Sequence, residues 1–571
     1  MAEFDTVIMN GTIIDGTRLP RFRGDLGIRD GCVAEVGRLK AHQGRTVIDA
    51  SGLIVAPGFV DLHTHYDAQL FWDPYCTVSG WHGVTSVAIG NCGFGFAPVA
   101  PAGRDRSMLT MTRNEAIPLE SMRAGMPWDW VTFPEYLDSL ERHPKSVNVL
   151  PLVPIAPMLT WVMGLEEAKT GRRLTADEER QMRQLLNESM GAGGCGWSVQ
   201  RLGRNSLQMD YDGTPMVTDV MAEATILALG RMLGERRQGY IQMTYFPDSQ
   251  QEDSGWDSEQ YSAFGFYEKL AEVCDRPIIY NSVIANDRHT EMHRDQLRWL
   301  NSCRQRGLWI YAMAAVGETG FVFTFKDWNL YDDAPPWREA TVGGTEERLQ
   351  KLSDPARRPS LRATESGITL SWDKLFIIRV KQPELKQYEN MSIVEAGRMM
   401  GKHPVDAMLD IAVADALDTE FQSAPVNHNF ESFKEVAEWE PGIWGVSDGG
   451  AHTKFFTGGV YPTEALVKIR DHGFFMNLET AHWHLSTAPA LCAGFKGRGT
   501  LVQGAPADIV IYDLDRLALK PMEIAYDFPG GEWRRIQRAQ GYRKILVNGE
   551  VTVDDDQTTG APSGRLLRHG R

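Results

Sequence analysis

Hydrophobic and polar positions change their period along the chain. Over residues 1–56, short apolar runs (6–9, 12–14, 25–28 and 33–36) alternate with the dipeptides Asn10-Gly11, Asp15-Gly16 and Asp30-Gly31. Runs parted by such x-Gly pairs predict strands joined by hairpin turns. The same texture returns at 507–512 and 544–551, the latter containing Asn548-Gly549. Neither end carries enough strands for a stable sheet alone, so residues 1–56 and 496–571 are expected to combine into one small β-sandwich. Between them, over 57–495, apolar runs (85–89, 147–150, 277–280, 308–311) alternate with helical stretches (176–190, 219–236, 259–273, 392–401). This rhythm predicts parallel strands with helical crossovers, an α/β class that admits a TIM-like (β/α)8 barrel or a doubly wound sheet. No G-x-G-x-x-G follows a first strand, which removes the main sign of a dinucleotide fold.

Residues 316–365 break the rhythm, with aromatics and prolines in little periodicity (Phe321, Phe323, Phe325, Trp328, Tyr331, Pro335, Pro336, Trp337). Such an insertion reads as a lid or binding loop, or as a solvated excursion. The tail beyond Asp554 reads as a surface strap.

Composition narrows the partners. A chain of 571 residues exceeds what one core usually supports. Its formal charge of −16 argues against a nucleic-acid or anionic-membrane surface. No apolar run approaches the ~20 residues of a membrane helix. Seven scattered cysteines without C-x-x-C, and a start lacking a basic then apolar leader, predict a reducing, cytoplasmic setting. Oligomeric state stays open, a homo-oligomer included.

Candidate chemistry begins with Pro57-Gly58-Phe59-Val60-Asp61-Leu62-His63-Thr64-His65. On a strand, side chains two apart share a face, so His63 and His65 can grip one metal ion; on a helix they would point apart. Asp448, in Gly445-Val446-Ser447-Asp448-Gly449-Gly450-Ala451-His452, closes another short apolar run. At a barrel strand end it can ligate metal or take a proton from water, whereas an ordinary Asp-Gly turn is the bland alternative. Cys92, in Gly90-Asn91-Cys92-Gly93-Phe94, follows the run 85–89 and offers a soft ligand suited to zinc, or else a small buried hydrophobe. His452 reads as a substrate or metal contact or a turn cap. His482 and His484 repeat H-x-H in a helical setting and read as a decoy. Arg201 ends the run 196–200, as a carboxylate clamp or a loop arginine.

Taken together, these segments resemble the amidohydrolase superfamily, and within it the N-acyl-D-amino-acid deacylase (D-aminoacylase) branch. The motifs are the His63/His65 run through Tyr66-Asp67, His82-Gly83-Val84-Thr85, Gly90-Asn91-Cys92-Gly93-Phe94-Gly95-Phe96, Ser447-Asp448-Gly449-Gly450 and Ala507-Asp508-Ile509-Val510. The resemblance implies a TIM-like barrel beside a small β-sandwich, with zinc held by His63, His65 and Cys92; the departures at Thr244 and Ser282 favour one ion over two, and another divalent transition metal is the alternative. It implies Asp448 as general base and further metal donor, acting on a linear amide such as an N-acyl D-amino acid. Arg201, Ser282, His452 and Trp328 are the residues expected to meet the substrate. The chain departs from the family where two further histidines are usual: Thr244 and Ser282 stand there, and residues 153–156 also lack histidine. Two other readings remain at this stage, a hydrolase of a cyclic amide, urea or ester, and a non-catalytic scaffold on the same fold.

Overall fold

The computed structural model of the chain describes residues 2–246, 256–286, 290–318, 320–327, 331–364, 372–495 and 497–569. The two chain ends pair within one nine-stranded sheet. Its order runs Gln557–Thr558, Glu550–Asp554, Tyr542–Val547, Ile509–Tyr512, Ile54–Pro57, Phe4–Ile13, Phe22–Arg29 and Cys32–Gly37, with Gly44–Asp49 also on Phe4–Ile13. The seam is the antiparallel pairing of Ile509–Tyr512 with Ile54–Pro57, over a shared core of Ile8, Leu26, Val55, Ile509, Ile511 and Leu546. This mutual burial explains why neither end needs to fold alone. A second strand pair, Ala518–Ala525 with Arg534–Gln540, forms its own two-stranded sheet.

Asp30-Gly31 and Asn548-Gly549 turn the hairpins the sequence predicts. Asn10-Gly11 does not. The strand runs through it from Phe4 to Ile13, and the register shifts between Ile8 and Gly11. Asn10 takes φ 64°, its N–H donates to Asp25 and its amide to Asp49, so long-range partners make a bulge of a local turn signal.

The central region carries short parallel strands, as its alternation predicts. Phe59–Asp61, Val84–Ile89 and Asn148–Pro151 form one sheet; Val153–Pro154, Gly196–Arg201, Tyr240–Tyr245, Ile278–Val283, Ile310–Ala315 and Ile443–Gly445 form another. The pairings do not run as one closed ring among the described residues. Pro151 and Pro154 lack the N–H that a continuous ladder needs; the gap is spanned by Leu152 N–H to the Ile89 carbonyl (3.0 Å) and Cys195 N–H to the Pro151 carbonyl (2.8 Å). On the other side an isolated parallel bridge joins Thr64 to Gly449, with His65 N–H donating to the Gly449 carbonyl (2.7 Å). That bridge brings the first and last strands of the series together.

Helices fall close to their expected places: Ala176–Ala192, Glu223–Arg236, Trp256–Cys274 and Ile393–Met400. Ala176–Ala192 and Ile393–Met400 start on capping boxes, Thr175 with Glu178 and Ser392 with Glu395. The aromatic insertion is no solvated excursion. Phe323, Phe325, Tyr331 and Trp337 are buried in a separate core that continues through Leu361, Ile377, Met408 and Phe421. Trp337 stacks on Tyr331 at 4.6 Å and donates its indole N–H to the Leu361 carbonyl. Phe325 and Trp337 are therefore core residues of this region, not an open surface for substrate. The C-terminal tail docks by a parallel bridge from Leu566 to Val149 and by Arg568, which meets Asp138 and Glu141. No helix among the described residues is long and apolar enough to cross a membrane.

Candidate metal centre

The strand Phe59–Asp61 ends just before the histidine pair, and local bonds keep its alternation going. Thr64 Oγ1 donates to the Ala88 carbonyl (2.6 Å), turning Thr64 towards the neighbouring strand. His63 and His65 therefore point the other way, both buried, their rings 5.4 Å apart and near perpendicular. His63 N–H donates to Asp61 (3.1 Å), which pins the turn out of the strand.

Cys92 reaches the same place from the end of Val84–Ile89. Gly90 adopts φ 76°, and a Cβ there would strike the Leu152 carbonyl, so only glycine lets the chain turn at this point. Asn91 donates to the Thr64 and Ala88 carbonyls (3.0 Å each), Cys92 N–H to Gln242 Oε1 (2.8 Å) and Gly93 N–H to Ser198 Oγ (2.9 Å). These bonds set Cys92 Sγ 3.5 Å from His63 Nε2. One donor atom each of His63, His65 and Cys92 fall within 4.8 Å of one another.

Asp448 arrives from the last strand, Ile443–Gly445. Its Oδ1 lies 3.0 Å from His63 Nε2 and 3.7 Å from His65 Nε2, and its side chain keeps 29% exposure. The two glycines after it are needed for close approach. A Cβ on Gly450 would lie 2.7 Å from the backbone carbon and oxygen of His65, and one on Gly449 2.5 Å from the Tyr66 hydroxyl. Asp448, hundreds of residues away in sequence, thus joins His63, His65 and Cys92 in one cluster. Two imidazoles, a thiol and a carboxylate make a donor set that suits zinc.

Burial dominates the electrostatics. It lowers His65 to about 3 and His452 to about 4, so both rings favour the neutral form that ligates metal. It raises the Cys92 thiol well above its ordinary value, with the Glu115 and Asp448 charges adding to the rise. A nearby cation is the interaction that reverses such a shift. Burial also raises Asp448, but the charge and hydrogen bond of His63, with the charges of His65 and His452, outweigh it and hold the carboxyl below the usual carboxylate range. Asp448 is therefore an anion at neutral pH.

No local pattern points to Glu115. It caps the helix Arg104–Asn114, a single acid among 75, yet it is buried against the cluster. Its Oε2 lies 3.3 Å from His452 Nε2 and its Oε1 4.0 Å from His65 Nε2. Burial, reinforced by the charges of Asp448 and Asp67, pushes its pKa well above the ordinary carboxyl value.

The remaining expected residues are placed as follows. Thr244 Oγ1 accepts a hydrogen bond from Asn281 Nδ2 (3.1 Å). Ser282 is half-buried on Ile278–Val283, and its carbonyl faces Gln296 Nε2 at 3.5 Å. Arg201 is buried, donating Nε to the Met221 carbonyl (2.8 Å) and Nη1 to the Phe246 carbonyl (3.0 Å), with its guanidinium over the Tyr245 ring. Trp328 lies outside the described residues. His482 and His484 bond elsewhere, to the Tyr512 hydroxyl (2.9 Å) and the Gly442 carbonyl (2.6 Å). A cleft of about 530 Å³ adjoins the Cys92 loop, lined by Phe94, Gly95, Met111, Ala156, Trp161 and Met216. The Phe94 ring is 6.5 Å from that of His65.

Comparison with known proteins bears on the family and the fold. A model described as the amidohydrolase family matches residues 46–234. D-aminoacylase of Alcaligenes xylosoxydans xylosoxydans is 27% identical over 568 residues, 99% of this chain and 97% of the relative. N-acyl-D-aspartate deacylase of the same organism is 36% identical over 198 residues, 35% of this chain and 37% of the relative. The solved structure of N-acyl-D-glutamate deacylase from Bordetella bronchiseptica, complexed with zinc and a phosphonate inhibitor, superposes with a TM-score of 0.68 at 22% identity, covering 99% of this chain and all of the other. That likeness concerns the fold. On the family match over residues 46–234, the full-length relative and the motifs gathered at one site, the chain resembles the amidohydrolase superfamily and, within it, the D-aminoacylase branch.

Proposed function

We propose that this protein is a zinc-dependent hydrolase of a linear amide, of the N-acyl D-amino acid type, with Asp448 as general base. The observation that carries the reading is Asp448 Oδ1 at 3.0 and 3.7 Å from His63 and His65, with Cys92 Sγ 3.5 Å from His63. Its relatives include D-aminoacylase, N-acyl-D-aspartate deacylase and N-acyl-D-glutamate deacylase, which supports hydrolysis of a carbon–nitrogen bond other than a peptide bond. The parallel strands are read as a (β/α)8 barrel spanning 57–495, beside a β-sandwich of 1–56 and 496–571. In that frame the site lies at the strand ends where barrel enzymes work.

A bound zinc would polarise the amide carbonyl and favour ionisation of water. His63, His65 and Cys92 are the residues to hold it. Asp448, anionic and partly exposed, takes the proton from the attacking water and hands it to the leaving amine nitrogen as the carbon–nitrogen bond breaks. The cleft beside Phe94 receives an apolar acyl group. Arg201 and Ser282 keep proposed substrate-side roles, and His452 a role towards substrate or metal. Small-molecule turnover in the cytoplasm, without nucleic-acid or membrane partners, belongs to the same reading.

The test is metal analysis of the purified protein with a panel of N-acyl D- and L-amino acids, hydantoins and esters. Transition metal at about one ion per chain and turnover of N-acyl D-amino acids are expected. Turnover of cyclic amides or esters alone would move the assignment to another bond. Metal-free protein inert on the whole panel would remove the enzyme reading.

A further inference from the structure

Two further donor groups stand beside His65, those of Glu115 and His452. Glu115 is 1% exposed, and neither of its carboxyl oxygens has a hydrogen-bond partner among the described residues. A buried carboxyl without a donor is costly, and the backbone holds this one in place. Glu115 N–H bonds to the Met111 carbonyl (2.9 Å), and its carbonyl accepts His452 N–H (2.6 Å). Its two oxygens face His452 Nε2 at 3.3 Å and His65 Nε2 at 4.0 Å. Two nitrogen or oxygen donors each about 2.1 Å from one zinc ion can stand at most about 4.2 Å apart. Both spacings fall inside that limit. Along the cluster the order runs Cys92, His63, Asp448, His65, Glu115, His452, with neighbours 3.0 to 4.0 Å apart.

We infer that Glu115, together with His452, is a metal-ligating pair on the His65 side of the centre, supplying carboxylate and imidazole in place of the imidazoles missing at Thr244 and Ser282. The inference rests on the proposed metal centre and extends its ligand set. Cys92 meets the set at His63 and Glu115 meets it at His65, so the two can be separated spectroscopically.

The experiment is a Co²⁺ titration of the metal-stripped full-length protein, read by visible absorption and by competition with a chromophoric chelator. Glu115→Gln keeps the size of the side chain and removes the charge. It is expected to weaken Co²⁺ binding at least about tenfold, or to abolish one equivalent, and to alter the ligand-field bands. The near-ultraviolet thiolate-to-cobalt band of Cys92 should persist. The metal-free variant should melt no lower than the metal-free parent, while the rise in Tm on adding Co²⁺ shrinks. His452→Asn should weaken binding in the same direction and serves as the second variant if Glu115→Gln folds poorly. Unchanged Co²⁺ affinity, stoichiometry and ligand-field bands in Glu115→Gln, or in His452→Asn where only that variant folds, would overturn the inference. Glu115-dependent Co²⁺ binding by a protein inactive on every amide would uphold the inference and remove the proposed function. Amide hydrolysis with Co²⁺ binding indifferent to Glu115 would do the reverse.

Discussion

Replacing Asp448 with Asn changes one charged atom while leaving the shape of the site. In the parent, the carboxylate lies 3.0 Å from His63 Nε2 and 3.7 Å from His65 Nε2, and these neighbours hold it ionised. An amide occupies the same volume but cannot accept a proton at neutral pH. A positioned general base contributes about 10²–10⁴-fold to rate, or about 2.7–5.5 kcal/mol of transition-state stabilisation. Asp448→Asn is therefore expected to lower kcat by that factor with a small change in KM, because the acyl cleft beside Phe94 is untouched. The assay is steady-state hydrolysis of an N-acyl D-amino acid, with metal content measured on the same samples. Lost metal would assign part of the effect to ligation, so activity is compared per bound ion. Activity per bound ion within threefold of the parent would refute Asp448 as the base.

Three further outcomes follow from the same geometry. Cys92→Ser exchanges a soft thiolate donor for a poor hydroxyl one, and chelator competition should show at least about a tenfold loss of zinc affinity; equal affinity would leave Cys92 as a buried small residue. Gly450→Ala forces a side chain onto φ 90°, 2.7 Å from the His65 backbone, and should cost on the order of 1–3 kcal/mol in thermal unfolding and weaken metal binding as His65 shifts; an unchanged Tm would contradict the close approach. Asp219, pushed by burial to about 7, remains protonated in the folded chain over a range where the unfolded chain has ionised from 3.8. Its contribution to stability should therefore fall as pH rises from about 4 to 7, by up to about 4 kcal/mol; Asp219→Asn should flatten this slope in urea unfolding at pH 5 and 8, and an identical slope in both proteins would reject it.

Local chemistry carried much of the site. Alternation on a strand is a property of the backbone, so the shared face of His63 and His65 was legible from their spacing alone. The glycines flanking Cys92 suggested close backbone approach, and a Cβ on Gly90 would indeed strike the Leu152 carbonyl; those after Asp448 read as a strand end or a turn, and the structure shows them packed on the Tyr66 ring and the His65 backbone. Both hairpins at Asp30-Gly31 and Asn548-Gly549 were equally local. Asn10-Gly11 misled because Asp25 and Asp49 hold Asn10 as a bulge, and both belong to other strands. The aromatic insertion misled in a similar way. Its lack of periodicity hid a core completed only by residues up to Phe421.

By itself, then, the sequence determined which residues could share a strand face, where the backbone must turn tightly, and that the chain ends needed each other. Those properties depend on neighbours within a few positions or on the bare count of strands. The tertiary structure decided which of many acids meets the histidines. Glu115 reaches His65 and His452 only because the helix Arg104–Asn114 ends against the loop after the last parallel strand, and no local pattern encodes a meeting between segments so far apart. It likewise decided that Gln242 and Thr244 stand beside Cys92 along with His63, since parallel pairing of Gly196–Arg201 with Tyr240–Tyr245 fixes which side chains face that loop.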